Sequence, residues 1–127
     1  MICADTNVFV DFFRGFNSKH TELLQCSLEE QQLLMNPFVL AELLSSPKLP
    51  AKIEKYLLAI PRIEIKREFF VHAGFLRRKL YQKGKGVSVA DVYIAQSCIE
   101  AEISLLSIDQ DLVMISECSD LKVICPV

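Results

Sequence analysis

Five short apolar segments alternate with segments of helical periodicity, and this alternation limits the fold more than any other feature of the sequence. The predicted strands are ICAD, QLLMN, RIEIK, ISLLSI and LKVICPV. Short strands separated by helices are typical of a parallel sheet with helices on both faces. Right-handed crossovers then place the loops that follow the strands along one edge. The sequence therefore predicts an α/β fold with three layers, α/β/α, around a parallel sheet of about five strands.

The segments between the predicted strands have the periodicity and the end signals of helices. Gly15 closes the first helix, and Pro37 is well placed as the first residue of the third. The longest helix has an apolar stripe formed by Phe69, Ala73, Leu76 and Leu80, with helical spacing. The predicted helices are TNVFVDFFRG, SKHTELLQCSLEEQ, PFVLAELLSS, AKIEKYLLAI, REFFVHAGFLRRKLYQK, SVADVYIAQSCIEAE and DQDLVMISEC.

Length and composition indicate one domain over residues 1–127, long enough to bury its own core. Although 51% of the residues are apolar, no apolar run approaches the roughly 18 residues that span a bilayer. The N-terminus lacks the basic flank of a signal peptide, so we expect a cytoplasmic protein without membrane association. The five cysteines form no C-x-x-C pair and only two histidines are present. This pattern argues against structural zinc and fits a reducing compartment.

The formal net charge is −2, which argues against a uniformly basic nucleic-acid binder. Residues 69–90 nevertheless contain no acidic residue. The basic residues of this stretch could contact phosphate groups of an anionic partner beside the following helix, or they could form a solvated helix end that the helix dipole favours. The sequence leaves both interpretations open. The basic residues of this stretch are Arg77, Arg78, Lys79, Lys83 and Lys85.

Four acidic residues are predicted at or near the edge where the strands end. Asp5 follows the first strand, Glu42 lies in the helix after the second, and Asp109 follows the fourth. Asp91 opens the helix that leads into the fourth strand. Ligands bind at this edge in parallel sheets. Each acid also has a purely structural interpretation, as a helix cap for Asp5 and Asp109, a capping box with Ser88 for Asp91, and a solvated helix face for Glu42.

Two details favour a shared site over four separate structural roles. Asp91 continues the apolar stripe of its helix, and Glu42 lies inside the apolar segment FVLAELL. An inward-facing acid is costly unless it is paired or metal-bound, and two carboxylates roughly 4 Å apart repel by about 4 kcal/mol at an effective dielectric near 20. A cluster with only oxygen ligands favours Mg²⁺ or Mn²⁺. Such sites are suited to hydrolysis of phosphodiesters by activated water.

Four segments resemble, in order and spacing, the motif regions of PIN-domain nucleases: ICADTNVFVDFFRG, FVLAELLSS, VSVADVYIAQS and LLSIDQDL. The length and the ending LKVICPV are most similar to VapC-type toxins of toxin–antitoxin modules. The resemblance implies a PIN-like fold and a catalytic, metal-binding quartet of Asp5, Glu42, Asp91 and Asp109. It also implies that the Thr6 hydroxyl supports the quartet by hydrogen bonding, and Asn7 matches a position that is often polar in the family.

The same resemblance implies a metal-dependent endoribonuclease that forms a homodimer and is neutralised by a cognate antitoxin, whose tail occupies the active site. The fourth motif departs from the family pattern T-x-D-x-D-F, because Ser107 replaces the threonine and Leu112 the aromatic residue. Serine keeps the hydroxyl, and leucine should alter only packing. Asp111 could substitute for or assist Asp109.

Other proteins with acids at the ends of strands fit less well. Phosphatases of the haloacid-dehalogenase type need D-x-D after the first strand, where this chain has D-T-N. Receiver domains need a phosphoacceptor aspartate after the third strand, where this chain offers Glu68. The remaining alternative is a catalytically silent PIN-like module that binds or regulates a partner. Acids at all four motif positions argue against it.

Overall fold

The computed structural model describes residues 1–126 as a parallel sheet surrounded by seven helices. The last residue of the predicted fifth strand, Val127, lies outside the described residues. The strands are β1 (Ile2–Ala4), β2 (Ser104–Leu106) and β3 (Val123–Ile124). The helices are α1 (Thr6–Phe13), α2 (Lys19–Glu29), α3 (Pro37–Leu44), α4 (Ala51–Ala59), α5 (Phe69–Gln82), α6 (Val89–Ala101) and α7 (Gln110–Glu117).

The three strands lie in the order β1–β2–β3, and both pairings are parallel. Ile2 lies opposite Ser104 in the first pairing, and Leu106 lies opposite Ile124 in the second. The side chains of β1 and β2 form the centre of the core, where Cys3 and Leu105 are fully buried. The predicted α/β class with a parallel sheet is therefore confirmed.

The prediction of about five strands was wrong in extent, because the sheet of the described residues has three. The predicted strands QLLMN and RIEIK are present as single parallel bridges, one between Leu33 and Ile2 and one between Met35 and Arg62. Strand pairing in QLLMN stops after Met35, because the next residue, Asn36, already caps α3. Before RIEIK, Pro61 accepts a hydrogen bond from the Met35 amide but has no N–H with which to extend the pairing.

All seven predicted helices are confirmed, with ends that are a few residues shorter than expected. The predicted stripe of α5, from Phe69 to Leu80, is buried and packs against α6. Ser88 caps α6 at its beginning, and Glu102 ends the helix in the left-handed conformation with φ 55°. None of the helices among residues 1–126 is both long and apolar enough to cross a lipid bilayer.

One buried side chain, that of Asn36, joins α3 to α6. Its carbonyl oxygen accepts a hydrogen bond from the Phe38 amide at 3.0 Å, which caps α3. Its amide nitrogen donates to the Ser97 hydroxyl at 2.7 Å and to the Ile94 carbonyl at 3.4 Å, both on α6. Because Asn36 is fully buried, water does not reach its hydrogen-bond partners and could not replace its side chain.

We predict that Asn36→Ala lowers the free energy of unfolding by about 2–4 kcal/mol, since it removes a helix cap and leaves buried polar groups without their partner. Urea denaturation followed by circular dichroism measures this loss. Asn17→Ala, at an exposed loop position, is the matched control and should change stability by less than about 0.5 kcal/mol. An equally small effect at Asn36 would contradict the bracing role.

Candidate active site

The carboxylate of Asp5 is held at the end of β1 by two different elements. Its backbone N–H donates to the Leu106 carbonyl at 2.9 Å, which continues the pairing of β1 with β2. Its side chain caps α1, as Oδ1 accepts from the Thr6 amide at 2.8 Å. Oδ2 accepts from the Ser107 hydroxyl at 3.0 Å. Asp5 is only 5% exposed, so both carboxylate oxygens have a fixed position.

Ser107 connects the first and fourth acidic positions. Its hydroxyl, which donates to Asp5, also accepts from the Asp109 amide at 3.0 Å. Asp109 in turn caps α7, as its Oδ1 accepts from the Asp111 amide at 2.8 Å. Asp5 and Asp109 are therefore both helix caps, as the structural interpretation predicted. Ser107 also connects them at one edge of the sheet.

Glu42 reaches the same edge from α3. Its side chain is exposed, and its Oε1 accepts from the Thr6 hydroxyl at 3.1 Å. The residue that follows Asp5 therefore contacts both acids, Asp5 through its amide and Glu42 through its hydroxyl. This hydrogen bond holds a long, flexible side chain toward β1.

Asp91 lies in the first turn of α6 and is partly buried. Its backbone N–H donates to the Ser88 hydroxyl at 3.1 Å, so Ser88 is the N-cap of the helix, which is one of the two hydrogen bonds of the predicted capping box. The helix thus begins with an acid in its first turn, where the helix dipole favours negative charge.

The pKa of Asp5 is raised above its ordinary value, mainly because burial removes the carboxylate from water. The negative charges of Asp109 and Glu42 raise it further. Hydrogen bonds from Thr6 and Ser107 favour the charged form and oppose this shift. Repulsion from two acids that are distant in sequence shows that the three carboxylates share one electrostatic environment.

The pKa of Asp91 is raised to about 6, again chiefly by burial. The charge of Asp109 is the next cause, and the charges of Asp5 and Asp111 add to it, whereas the Ser88 hydroxyl lowers the pKa. All four predicted acids are therefore connected, through direct repulsion or through a common neighbour. Among residues 1–126, no lysine or arginine forms an ion pair with any of them.

The donor chemistry of this edge fits a hard divalent cation, because every candidate ligand is a carboxylate oxygen. The buried Asp5 and the partly buried Asp91 are repelled by neighbouring carboxylates and have no positive partner in the described residues, and a bound cation would relieve this repulsion. The residues that could hold the ion are Asp5, Glu42, Asp91 and Asp109. Within the described part of the chain, no three acidic, histidine or cysteine side chains already lie close enough to hold one ion, so binding would need side-chain adjustment.

The two other polar positions of the motifs lie at the periphery of the site. Asn7 is exposed on α1, and Asp111 is exposed on the first turn of α7. Asp111 donates its amide to Asp109 and contributes charge to the field at Asp91. The structure therefore brings Thr6 and Ser107 into direct hydrogen bonds with the acids and leaves the side chain of Asn7 facing solvent.

Both arginines of the basic stretch, Arg77 and Arg78, contact other groups within the protein. Arg77 donates from Nε to the Val87 carbonyl at 3.2 Å and lies over the Tyr81 ring at 5.1 Å. Arg78 lies over the Phe75 ring at 5.4 Å. The three lysines are exposed or half-buried: Lys79, Lys83 and Lys85.

Sequence reasoning missed Asn36, which braces the helix of Glu42 against the helix of Asp91. The local signal was present, since an asparagine directly before a proline is a typical beginning of a helix. Its contact with α6 had no signal in the sequence, because the partners lie about sixty positions away.

A groove of about 440 Å³ opens beside Thr6 and Glu42, between α1, α3 and α4. Its walls are largely apolar, and Arg14 and Lys48 add positive charge. The groove is continuous with the acidic edge, because Thr6 and Glu42 belong to both. The apolar residues that line it include Val10, Phe13, Leu43, Leu49 and Ile53.

Several solved structures share this fold over almost the whole chain. VapBC2 from Rickettsia felis, bound to a DNA fragment from its promoter, has a TM-score of 0.78 at 22% identity, with 98% of each chain covered. VapBC-1 from nontypeable Haemophilus influenzae has a TM-score of 0.73 at 16% identity, also with 98% of each chain covered.

A more distant likeness is to VapBC-5 from Mycobacterium tuberculosis, a member of the VapBC family of toxin–antitoxin systems. Its TM-score is 0.56 at 18% identity, over 73% of this chain and 81% of that one. No curated protein matches the sequence. The model of the PIN domain, in contrast, matches residues 2–117. The chain therefore belongs to the PIN domain family.

Proposed function

We propose that the protein is a Mg²⁺- or Mn²⁺-dependent endoribonuclease and the toxin of a toxin–antitoxin pair. The observation that supports this proposal is the arrangement around Asp5, which hydrogen bonds link to Glu42 through Thr6 and to Asp109 through Ser107. The charges of Asp5 and Asp109 also act on Asp91, and no basic side chain pairs with these acids in the described residues. PIN domains are generally nucleases, and the fold is shared with structures solved as VapBC complexes.

The residues divide into those that are fixed and those that can adjust. Asp5 is fixed by Thr6 and Ser107, so we assign it the central ligand position, whereas the exposed side chain of Glu42 can adjust toward it. A divalent ion bound there would supply a positive charge for the phosphoryl oxygen and an activated water. Asp91 or Asp109 would orient the attacking water or accept its proton.

A cognate antitoxin is proposed as the protein partner, and the groove beside Thr6 and Glu42 is proposed as its binding site. The groove is largely apolar, with Arg14 and Lys48 in its walls, and includes Thr6 and Glu42 at the acidic edge. A segment that lay in it would cover the site that cleaves RNA. The structural neighbours were solved as VapBC complexes, which supports a partner of this kind.

We predict that purified protein, free of antitoxin, cleaves RNA in Mg²⁺ or Mn²⁺ but not in EDTA, and that Asp5→Asn and Asp91→Asn each reduce cleavage at least about 100-fold. Asparagine keeps the size of the side chain and can still cap α1. Gel analysis of a mixed RNA pool measures the rates.

Asp120→Asn is the matched control for this experiment. Asp120 is exposed in the loop after α7, and the variant should cleave at the wild-type rate. Cleavage retained in Asp5→Asn would refute the proposed mechanism. A folded wild-type protein that neither cleaves RNA nor takes up metal in calorimetry would support the alternative of a silent binding module.

We also predict that Asp91→Asn stabilises the metal-free protein at neutral pH. The pKa of Asp91 is about 6 in the folded chain against the usual 3.8, so the unfolded chain releases this proton first and stability is lost as pH rises from about 4 to 6. With allowance for solvent screening, the variant should gain about 1–2 kcal/mol at pH 7 over the wild type and much less at pH 4.

Thermal unfolding of both proteins across this pH range checks the prediction. Addition of Mg²⁺ should reverse the order, because ligand binding stabilises only the chain that binds it. The idea of a repulsive, cation-binding cluster would be wrong if the difference between the two proteins did not depend on pH and Mg²⁺ raised both melting temperatures equally.

A homodimer is proposed through the outer face of α5. Phe70, Val71 and Phe75 are 58%, 47% and 56% exposed there, and a helix face of this kind can pair with itself across a two-fold axis. Sedimentation equilibrium should give twice the 14.4 kDa mass of one chain.

The double variant Phe70→Glu/Phe75→Glu should sediment as a monomer, because it places charges in the proposed interface. Tyr56→Glu/Leu58→Glu, at exposed apolar positions of α4, is the control and should remain a dimer. A wild-type protein that sediments as a monomer at micromolar concentration would exclude this interface.

A further inference from the structure

The loop between α5 and α6, residues 83–88, connects the basic end of one helix to the acidic beginning of the next. It is tied to α5 by backbone hydrogen bonds, from the Gly84 amide to the Tyr81 carbonyl at 2.9 Å and from the Lys85 amide to the Leu80 carbonyl at 2.8 Å. Gly84 adopts φ 72°, a conformation that favours glycine. The first half of the loop therefore has a defined backbone.

The second half of the loop is held by side chains of α5. Arg77 donates from Nε to the Val87 carbonyl at 3.2 Å, and its guanidinium lies over the Tyr81 ring at 5.1 Å. The edge of the same ring packs against Gly86, where an added Cβ would lie 3.0 Å from Tyr81 Cε1. Arg77, Tyr81 and Gly86 thus form one contact that fixes the loop.

Because of this contact, Arg77 and the two lysines of the loop have different roles. The guanidinium of Arg77 is engaged inside the protein, whereas Lys83 and Lys85 lie on the loop that it holds. Residues 69–90 contain no acid, and within residues 1–126 neither lysine forms an ion pair. The two ammonium groups are therefore available to an anion outside the protein.

The position of the loop connects these charges with the acidic edge. It ends at Ser88, whose hydroxyl accepts from the Asp91 amide at 3.1 Å. The fixed backbone of the loop therefore leads directly into the turn that carries Asp91. A polyanion that approached the four carboxylates would meet strong repulsion without positive charge nearby.

We propose that residues 83–88 are a preorganised arm that contacts the phosphates of single-stranded RNA beside the cleavage site. Lys83 and Lys85 bind the phosphates, and Arg77 and Tyr81 are positioning residues that hold the loop. The inference rests on the proposed nuclease function and names the surface by which that site takes its substrate. Because lysine contacts a phosphate as a point charge, the arm should act on RNA of any sequence.

The test measures binding of a fluorescent single-stranded RNA by fluorescence anisotropy at several salt concentrations, in an Asp5→Asn background without cleavage. Removal of two phosphate contacts in Lys83→Ala/Lys85→Ala should weaken binding by about tenfold at low salt. It should also reduce the slope of log K against log salt by about 1.4, or about 0.7 for each contact. Lys52→Ala/Lys55→Ala, which removes two exposed lysines of α4, should leave affinity and slope nearly unchanged.

A second variant distinguishes positioning from direct contact. Arg77→Lys keeps the charge but loses the Nε donor to the Val87 carbonyl and the planar guanidinium that lies over the Tyr81 ring. We expect severalfold weaker binding with an unchanged salt slope and, in the active protein, a raised KM with an unchanged kcat. Gly86→Ala, which would crowd the Tyr81 ring, should give the same pattern, and circular dichroism should show that both variants are folded.

Equal effects of the two double-lysine variants would overturn the proposal, and so would equally tight, lysine-dependent binding of polyglutamate, which would indicate an acidic protein as the ligand. Absence of RNA binding would overturn it too. Metal-dependent RNA cleavage by the wild-type protein, abolished in Asp5→Asn, would still stand if the lysine result were negative. The failure of this inference is therefore distinguishable from failure of the nuclease function.

Discussion

A buried carboxylate at the end of a parallel strand is the constraint on which the rest of the site depends. Both oxygens of Asp5 accept hydrogen bonds that favour its charged form, one from the beginning of α1 and one from Ser107 after β2. These bonds fix the start of α1 and the loop after β2 relative to each other. The same geometry brings Asp109 and Glu42 close enough to repel Asp5. The fold thus keeps acids together at a cost in free energy, as functional sites commonly do.

The helices that carry Glu42 and Asp91 depend on a separate brace. Glu42 and Asp91 lie on α3 and α6, and Asn36 joins these helices where α3 begins. The acidic edge is therefore supported twice, by a hydrogen-bonded serine between the strands and by a buried amide between the helices. The apolar groove reaches the same edge through Thr6 and Glu42, and the basic loop reaches it through Ser88 and Asp91. These two surfaces approach the acids along different elements.

The sequence predicted what depends on local signals and missed what depends on distant partners. Gly15, Pro37 and Ser88 marked helix ends, and the helices begin or end near them. The acids at strand ends were visible because strand and acid are adjacent in the chain, and the common edge of a parallel sheet suggested that they share one site. The family resemblance then implied their joint catalytic role. The number of paired residues in each strand was not predictable. It depended on how soon a helix began after the segment QLLMN and on the missing N–H of Pro61 before RIEIK. The pairing of Arg77 with Val87 also had no signal, since either residue alone is an ordinary surface or core position.

The short strands have a consequence for how copies of this chain can assemble. In the described residues, one edge of the sheet ends in a single bridge at Arg62, and the other is a strand of two residues. A long exposed edge would offer a row of unpaired N–H and C=O groups as a template for another chain. Within residues 1–126 such a row is short at both edges, which disfavours growth into a continuous intermolecular sheet. The proposed dimer would then use helix surfaces, where side chains rather than backbone decide which partner fits.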